Sequence, residues 1–440
     1  MTKISWTGFS KKSPEERIHY LEEQDFLADS SLEIVTNQDL LSLSLANQMA
    51  ENVIGRIALP FSLVPDVLVN GKVYQVPYVT EEPSVVAAAS FAAKIIKRSG
   101  GFLTTVHNRK MIGQVALYDV QDSQHAKESI LNQKQQLLEI ANAAHPSIVK
   151  RGGGACDLTI EIKEGFLIVY LMVDTKEAMG ANMVNTMMEA LSSPLEDISK
   201  GKSLMSILSN YATESLVTAT CRVDLRFLSR QKEEAIKLAQ KMTMASQLAQ
   251  VDPYRASTHN KGIFNGIDAI VLATGNDWRA IEAGAHTYAV KDGQYRGLSK
   301  WSYKVDDNFL EGTLTLPMPV ATKGGSIGIN PSVQLAHDLL GRPNAKELAS
   351  IVLSIGLAQN FAALKALVST GIQAGHMKLQ AKSLALLAGA KEEQISEVVK
   401  QLLDSKHMNL ETAQKIVNKL TKSKKKNLRK IISNSFFYLT

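Results

Sequence analysis

The most constraining feature of the chain is the order of apolar patterns between residues 111 and 227. MIGQVALYDV reads as a strand, AKESILNQKQQLLEIANAA as a helix, CDLTIEI and FLIVYLMVD as two strands, AMGANMVNTMMEAL as a helix and LVTATCRVDLRFL as a strand. That order, βαββαβ, predicts a split-βαβ, ferredoxin-like unit: an antiparallel sheet with its helices on one face. The unit occupies about a quarter of a 440-residue chain, so it is expected as an insertion in something larger. Ahead of it, Ser13 and Pro14 open a helix, and a second begins at Glu82 and Pro83 and stops at Gly100 and Gly101. Behind it come a long amphipathic helix from Arg230 to Gln250, a mixed region to Gly328, an apolar helix from Leu348 to Leu367 and a helical end beyond Gly371. The fold class expected is α+β.

Composition excludes several classes. With 45% hydrophobic and 21% charged residues the chain is a folded protein. Its two cysteines, Cys156 and Cys221, form no CxxC, so neither a disulfide framework nor a thiolate metal site is expected. The start, MTKISWTGFSKKSPEERI, has no apolar run of the kind an export signal needs. The Leu348–Leu367 stretch is broken by Gln359, Asn360 and Lys365, which fits a core helix better than a membrane span. A cytoplasmic protein without a membrane partner is expected. Net charge is +6, and eight positive charges without an acid lie between Lys415 and Lys430, so the remaining body is slightly acidic. Such a tail admits a nucleic-acid-binding reading, but basic and aromatic residues do not interleave, and no nucleic-acid partner is expected.

Familiar nucleotide and metal motifs are missing. No GxGxxG follows a strand, the GKS at Gly201 lacks the upstream glycine of a phosphate loop, and the nine histidines show no ligand spacing. Four glycine-rich clusters stand in their place: RGGGACD (151–157), EAMGAN (177–182), HNKGIFNGID (259–268) and LATGNDWRAIEAGAH (272–286). Each by itself reads as turns, with EAMGAN also placing free N–H groups at a helix start, where an anion is favoured. Beside them, Lys261 reads as a surface lysine, Asp277 as the N-cap of the following helix, Glu82 as a charge at a helix start and His376 as a histidine at a helix entrance.

Taken together, the same residues resemble one family. ENVIG (51–55), TEEPSVVAAAS (80–90), EAMGANMVN (177–185), DPYRASTHNKGIFNGIDAIVLATGNDWRAIEAGAH (252–286), GLAQN (356–360) and GIQAGHM (371–377) are similar to the motifs of 3-hydroxy-3-methylglutaryl-coenzyme A (HMG-CoA) reductase in its class II, soluble bacterial form. The resemblance runs from about residue 5 to about 420. It implies a large substrate-binding domain (1–109 and 221–371), an inserted ferredoxin-like dinucleotide-binding domain (110–220) and a C-terminal helical flap with a basic tail (372–440). It further implies a homodimer, or a higher oligomer, with ENVIG near an interfacial active site.

By position in those motifs, Lys261 stabilises a developing oxyanion, Asp277 is its electrostatic partner, Glu82 is an acid and His376 protonates the departing CoA thiolate. Ser84, Arg255, Asn265 and Gln359 fall at positions that bind the HMG portion or support the site. Met179, Gly180, Ala181, Asn182 and Asn210 match dinucleotide contacts, with Glu177 where the family usually has Asp. No metal is implied. The implied reaction reduces HMG-CoA to mevalonate and CoA with two nicotinamide hydrides, through mevaldyl-CoA and mevaldehyde. Degradative, NAD-using members carry an acid at the position of His145, where it suits a free ribose 2′-hydroxyl. Here His145, Ser147, Lys150 and Arg151 offer donors and cations instead. NADPH and the biosynthetic direction toward isoprenoids are therefore expected, with NADH and mevalonate degradation as the alternative.

Overall fold

The computed structural model describes residues 4–38, 41–325, 327–369 and 372–422. Contacts divide the chain into two compact units, Met1–Lys365 and Ala366–Thr440. The first begins with α1 (Pro14–Glu23), α2 (Asp29–Asn37) and α3 (Leu43–Met49). Ser13 and Glu16 form a reciprocal capping box at α1, with Pro14 at the first position, as the sequence implies. Next come β1 (Phe61–Val69), β2 (Lys72–Val79) and α4 (Val85–Arg98), then β3 (Phe102–Val106) and β4 (Lys110–Tyr118). Helix α4 starts after Ser84 rather than at Glu82, because Ser84 takes a left-handed φ of 75° that helical continuity forbids.

After β4 the chain forms α5 (Ser123–Asn132), α6 (Lys134–Ala144), α7 (Pro146–Lys150), β5 (Gly154–Lys163), β6 (Phe166–Asp174), α8 (Ala181–Ser199) and β7 (Lys202–Ser209). The helix expected over 126–144 is thus broken at Gln133. Strands order as β5-β6-β4-β7 in a four-stranded sheet, antiparallel throughout. Numbered within the unit this is 2-3-1-4, the ferredoxin-like order. Helices α5, α6 and α8 pack on one face over Val115, Leu158, Val169, Leu171, Met187 and Leu191.

The fourth strand of this sheet is not the expected one. KSLMSILS fills the position, while β8 (Leu216–Asp224), expected there, pairs with β3 and with a later strand in a second sheet. A boundary at residue 220 would therefore cut β8 in two.

The rest of the first unit comprises α9 (Lys232–Val251), α10 (Pro253–Ala273), α11 (Trp278–Tyr288), the short hairpin β9 (Val290–Lys291) and β10 (Gln294–Tyr295), β11 (Ser299–Lys304), β12 (Phe309–Pro317), α12 (Pro331–Leu339) and α13 (Ala345–Val368). The large sheet has the order β11-β12-β8-β3-β1-β2 and is antiparallel except between β1 and β3. Helix α13 is apolar enough to cross a membrane by length and composition, yet nearly every residue from Leu348 to Leu364 is buried in the core. Helix α10 crosses it closely. A Cβ on Gly266 would lie 3.1 Å from the Ile355 carbonyl oxygen, and one on Gly356 2.9 Å from Ile267.

The second unit holds α14 (Ile372–Leu387), α15 (Glu392–Leu403) and a helical stretch over residues 410–422. Its small core gathers Ala381, Ala385, Val398, Leu402, Ala413 and Val417. The basic run beyond residue 422 lies outside the described residues.

Candidate active site

The cluster HNKGIFNGID, whose glycines suggest turns, lies wholly within α10. Asp252 caps that helix through the Arg255 N–H at 2.9 Å, and Pro253 takes the first-turn slot. Lys261 and Asn265 are four residues apart and so share one face. From that face the Lys261 Nζ donates to Glu82 Oε2 at 2.5 Å. Glu82 sits in the turn between β2 and α4, with its N–H on Thr80 Oγ1 at 3.2 Å. The two side chains are 60% and 45% exposed, so the pair adds about 0–1 kcal/mol to stability. A charged pair so placed is worth more to chemistry than to folding.

Ser84, two residues on, holds its left-handed backbone without a glycine and without a capping hydrogen bond of its own. Strain of about 1–3 kcal/mol is typical of such a position and clusters at functional sites. Arg255 is half-buried, and burial lowers its pKa from the ordinary guanidinium range. Gln359 is buried on α13, where its Oε1 accepts from Tyr78 at 3.5 Å.

Beneath Lys261 lies a polar network for which the sequence motifs give no role. His259 Nε2 meets Ser299 Oγ at 2.7 Å, and Asn360 Oδ1 accepts from Ser299 Oγ at 2.8 Å and from Trp301 Nε1 at 2.7 Å. Asn260, next to it, bonds the Arg296 carbonyl and the Leu298 N–H. Burial with Arg255 nearby pushes the His259 imidazole down to about 3, so it is neutral and serves as a strut. Its signal in the sequence is a pair of polar residues, His259 and Asn260, at the start of an otherwise apolar run.

Asp277 caps α11 through the Ala280 N–H at 3.1 Å, the bland role its position suggests, and approaches Arg279 Nε at 3.8 Å. No ion pair joins it to Lys261 among the described residues; the carboxylate that does so is Glu82. Asn276 fixes the turn before α11 by a two-way bond with the Ala321 backbone, at 2.6 and 3.1 Å. His376 falls in α14, but its side chain lies outside the described residues.

On the four-stranded module, Gly180 caps α8 with a φ of 88°. A Cβ there would lie 2.6 Å from Thr175, so only glycine fits. Ala181 and Asn182 follow as the first helical residues, at the positive end of a 19-residue helix whose N-cap makes no side-chain cap bond among the described residues. Met179 packs partly on the module's core. His145, Ser147 and Arg151 form a chain around α7: Ser147 Oγ is 3.2 Å from His145 Nδ1 and 3.5 Å from Arg151 Nη2. Lys150 is exposed beside them. Asn210, just after β7, is overlain by α11, since a Cβ on Gly284 would come within 2.4 Å of its carbonyl oxygen.

Glu177 makes contacts within the fold. Its Oε2 accepts from Thr322 Oγ1 at 2.7 Å and from the Ala345 N–H at 2.8 Å, at the start of α13. Arg109 completes a brace there. Its guanidinium donates to the Lys176, Ala178 and Val320 carbonyls, at 2.9, 3.4 and 2.9 Å. The module is therefore tied to the large sheet's surroundings by a buried arginine and an acid, neither foreseen in that role.

Known proteins share this fold. A family model described as Hydroxymethylglutaryl-coenzyme A reductase matches residues 13–381. The chain is 41% identical over 418 residues to 3-hydroxy-3-methylglutaryl-coenzyme A reductase of Archaeoglobus fulgidus, covering 94% of each chain. A solved HMG-CoA reductase of Streptococcus pneumoniae superimposes with a TM-score of 0.83 at 63% identity, covering 95% of this chain and 100% of that one. Another, the class II enzyme of that organism bound to NADPH in open conformations, gives 0.82 at 63% identity, covering 83% of this chain and all (100%) of that one. With a family match over residues 13–381 and nearly full-length likeness to a solved relative at 63% identity, the chain belongs to the class II branch of the hydroxymethylglutaryl-coenzyme A reductase family.

Proposed function

We propose that the protein reduces the thioester of (S)-HMG-CoA to the primary alcohol of (R)-mevalonate, consuming two NADPH and releasing CoA, as a step of isoprenoid synthesis. The observation that carries this is the Lys261–Glu82 pair, formed at 2.5 Å between α10 and the turn before α4. NADPH, when bound, supplies a hydride for each of the two reductions. Negative charge then develops on the substrate carbonyl oxygen, and Lys261 is the cation that stabilises it. Glu82, at hydrogen-bond distance from that cation, is the acid that supplies the proton, its carboxyl protonated once bound substrate removes it from water. His376 delivers a proton to the CoA thiolate, a role suited to an imidazole near neutrality. Ser84, Arg255, Asn265 and Gln359 hold the HMG portion. Asp277 steadies the α10–α11 turn by its cap, and its charge adds to the field around Lys261.

For the dinucleotide, the open N–H groups of α8 at Gly180, Ala181 and Asn182 suit a pyrophosphate. The donors and cations at His145, Ser147, Lys150 and Arg151 suit a 2′-phosphate, which favours NADPH over NADH and synthesis over degradation. Glu177, whose Oε2 bonds Thr322 and the Ala345 N–H, borders this site. The module is read as an inserted dinucleotide domain that runs from β4 to β7, and the second unit as a helical flap.

A homodimer with the site at its interface fits the apolar segment around ENVIG, where Ile54 and Ile57 are 99% and 89% exposed. The free thiols of Cys156 and Cys221 suit a reducing cytoplasm. Following NADPH and NADH oxidation in parallel with HMG-CoA present tests the whole reading. HMG-CoA-dependent oxidation of NADPH with mevalonate as product is the expected result, and no turnover with either cofactor overturns it.

A further inference from the structure

Beside the Lys261 face of α10 runs a second line of residues four apart, Asn260, Phe264 and Asp268, turned toward α11 and the hairpin behind it. Phe264 stacks on His286 with ring centroids 5.1 Å apart, and His286 Nδ1 meets the Tyr295 hydroxyl at 2.8 Å. One turn further along α10, the Asp268 carboxyl meets that of Glu282, which lies one turn before His286 on α11. Asp268 Oδ1 is buried without a hydrogen-bond partner. No lysine or arginine forms an ion pair with either acid among the described residues. Two touching carboxylates so placed cannot both be ionised, and a proton between them turns repulsion into a hydrogen bond.

We propose that Asp268 is a positioning residue: the proton it shares with Glu282 fastens α11 to α10 and keeps Lys261 in register with the Asp277-capped turn. The catalytic consequence rests on the reductase reading, whereas the shared proton does not. Burial first, and the charge of Glu282 second, push the Asp268 carboxyl up to about 8. His286 lies one turn on from Glu282 in α11 and the Tyr295 hydroxyl on β10 feels the Glu282 charge; among the described residues Glu282 is the charged group that acts on Asp268. Between the ordinary carboxyl range and about 8, the folded chain holds a proton that the unfolded chain has lost. Stability therefore falls as pH rises through that window and levels off above it.

The test compares wild type with Asp268→Asn, whose amide supplies a permanent N–H to Glu282, with Glu282→Gln and with Asp268→Ala, which supplies none. Thermal midpoints and HMG-CoA-dependent NADPH oxidation are measured from about pH 6 to about pH 9.5. Wild type is expected to lose midpoint as pH rises toward about 8 and to level off above it, and to lose kcat as pH rises through about 8, with KM nearly constant. Asp268→Asn and Glu282→Gln keep neutral-pH turnover and lose this alkaline fall, while Asp268→Ala loses roughly tenfold in kcat at every pH. An alkaline fall in Asp268→Asn like that of wild type, or full activity in Asp268→Ala, overturns the proposal. Should the variants not fold, the infrared band of a protonated carboxyl in wild type decides: persistence at about pH 7 with loss by about pH 9.5 supports the shared proton, and its absence at about pH 7 refutes it. Wild type without turnover at any pH would defeat the reductase reading, yet the thermal titration would still judge the proton.

Discussion

Gly284→Ala probes how closely α11 presses on the cofactor side of the molecule. The added Cβ would lie 2.4 Å from the Asn210 carbonyl oxygen and 3.9 Å from Pro317 Cβ. An ordinary contact needs about 1 Å more than the first of these, and the opposing atom is backbone. That carbonyl also accepts from the Ala212 N–H at 2.9 Å, so it cannot swing aside freely. Overpacking of this kind costs about 1–3 kcal/mol, and alanine regains about 1 kcal/mol over glycine inside a helix. The net loss is about 0–2 kcal/mol against wild type, at most on the order of 4 °C in thermal midpoint, and about 1–3 kcal/mol against a glycine-to-alanine change without the clash. Gly262→Ala isolates the propensity term, because a Cβ there meets nothing within 4 Å.

If Asn210 contacts the dinucleotide, a shift of about 1 Å lowers kcat/KM for NADPH at least roughly tenfold, while KM for HMG-CoA stays near wild type. Calorimetry and steady-state kinetics on purified Gly284→Ala and Gly262→Ala give both readouts. A Gly284→Ala protein as stable as Gly262→Ala, with unchanged NADPH kinetics, would refute both the steric argument and the placement of Asn210.

Lys261→Ala should fold with a midpoint within about 2 °C of wild type, since its ion pair is exposed, yet lose about 3 kcal/mol or more of barrier stabilisation; near-normal turnover would remove Lys261 from the chemistry. His376→Gln should stop conversion of HMG-CoA to mevalonate but spare the reduction of free mevaldehyde, which has no thiolate to protonate, and equal loss in both assays would make His376 structural. His145→Asp should move the ratio of specificity constants toward NADH by placing a negative charge where a 2′-phosphate is expected; a wild-type enzyme that already favours NADH would reverse the inferred direction of the pathway.

Legibility followed the strength of local patterns. The four-stranded module could be read because β4, β5 and β6 alternate cleanly and α8 opens on a glycine. Its fourth strand was concealed because KSLMSILS is a partly exposed edge with no buried residue to mark a face, whereas LVTATCRVD alternates well and serves the other sheet. Glycines misled in the opposite way at α10. Gly266 stands where α13 crosses, so it answers to packing between helices and not to a turn. At the site, the resemblance to family motifs assigned Lys261 and Glu82 to one site with Asp277 as the partner of Lys261, while the ion pair found is with Glu82, 179 residues away in sequence. The bonds from Glu177 to Thr322 and Ala345 were hidden because an acid before a glycine-capped helix does not reveal its neighbours 145 and 168 residues away in sequence.

That acid sets a limit on exchanging parts between relatives. The ferredoxin-like module looks like a cassette, with its own core and both ends on the large sheet's side. Yet its carboxylate caps a helix of the host, and the arginine at its entry holds a carbonyl of the host loop. A transplanted module with aspartate in place of Glu177 would reach less far and leave the Ala345 N–H bare. Whoever grafts a new cofactor preference into this chain must carry Thr322 and the first turn of α13 along with the module.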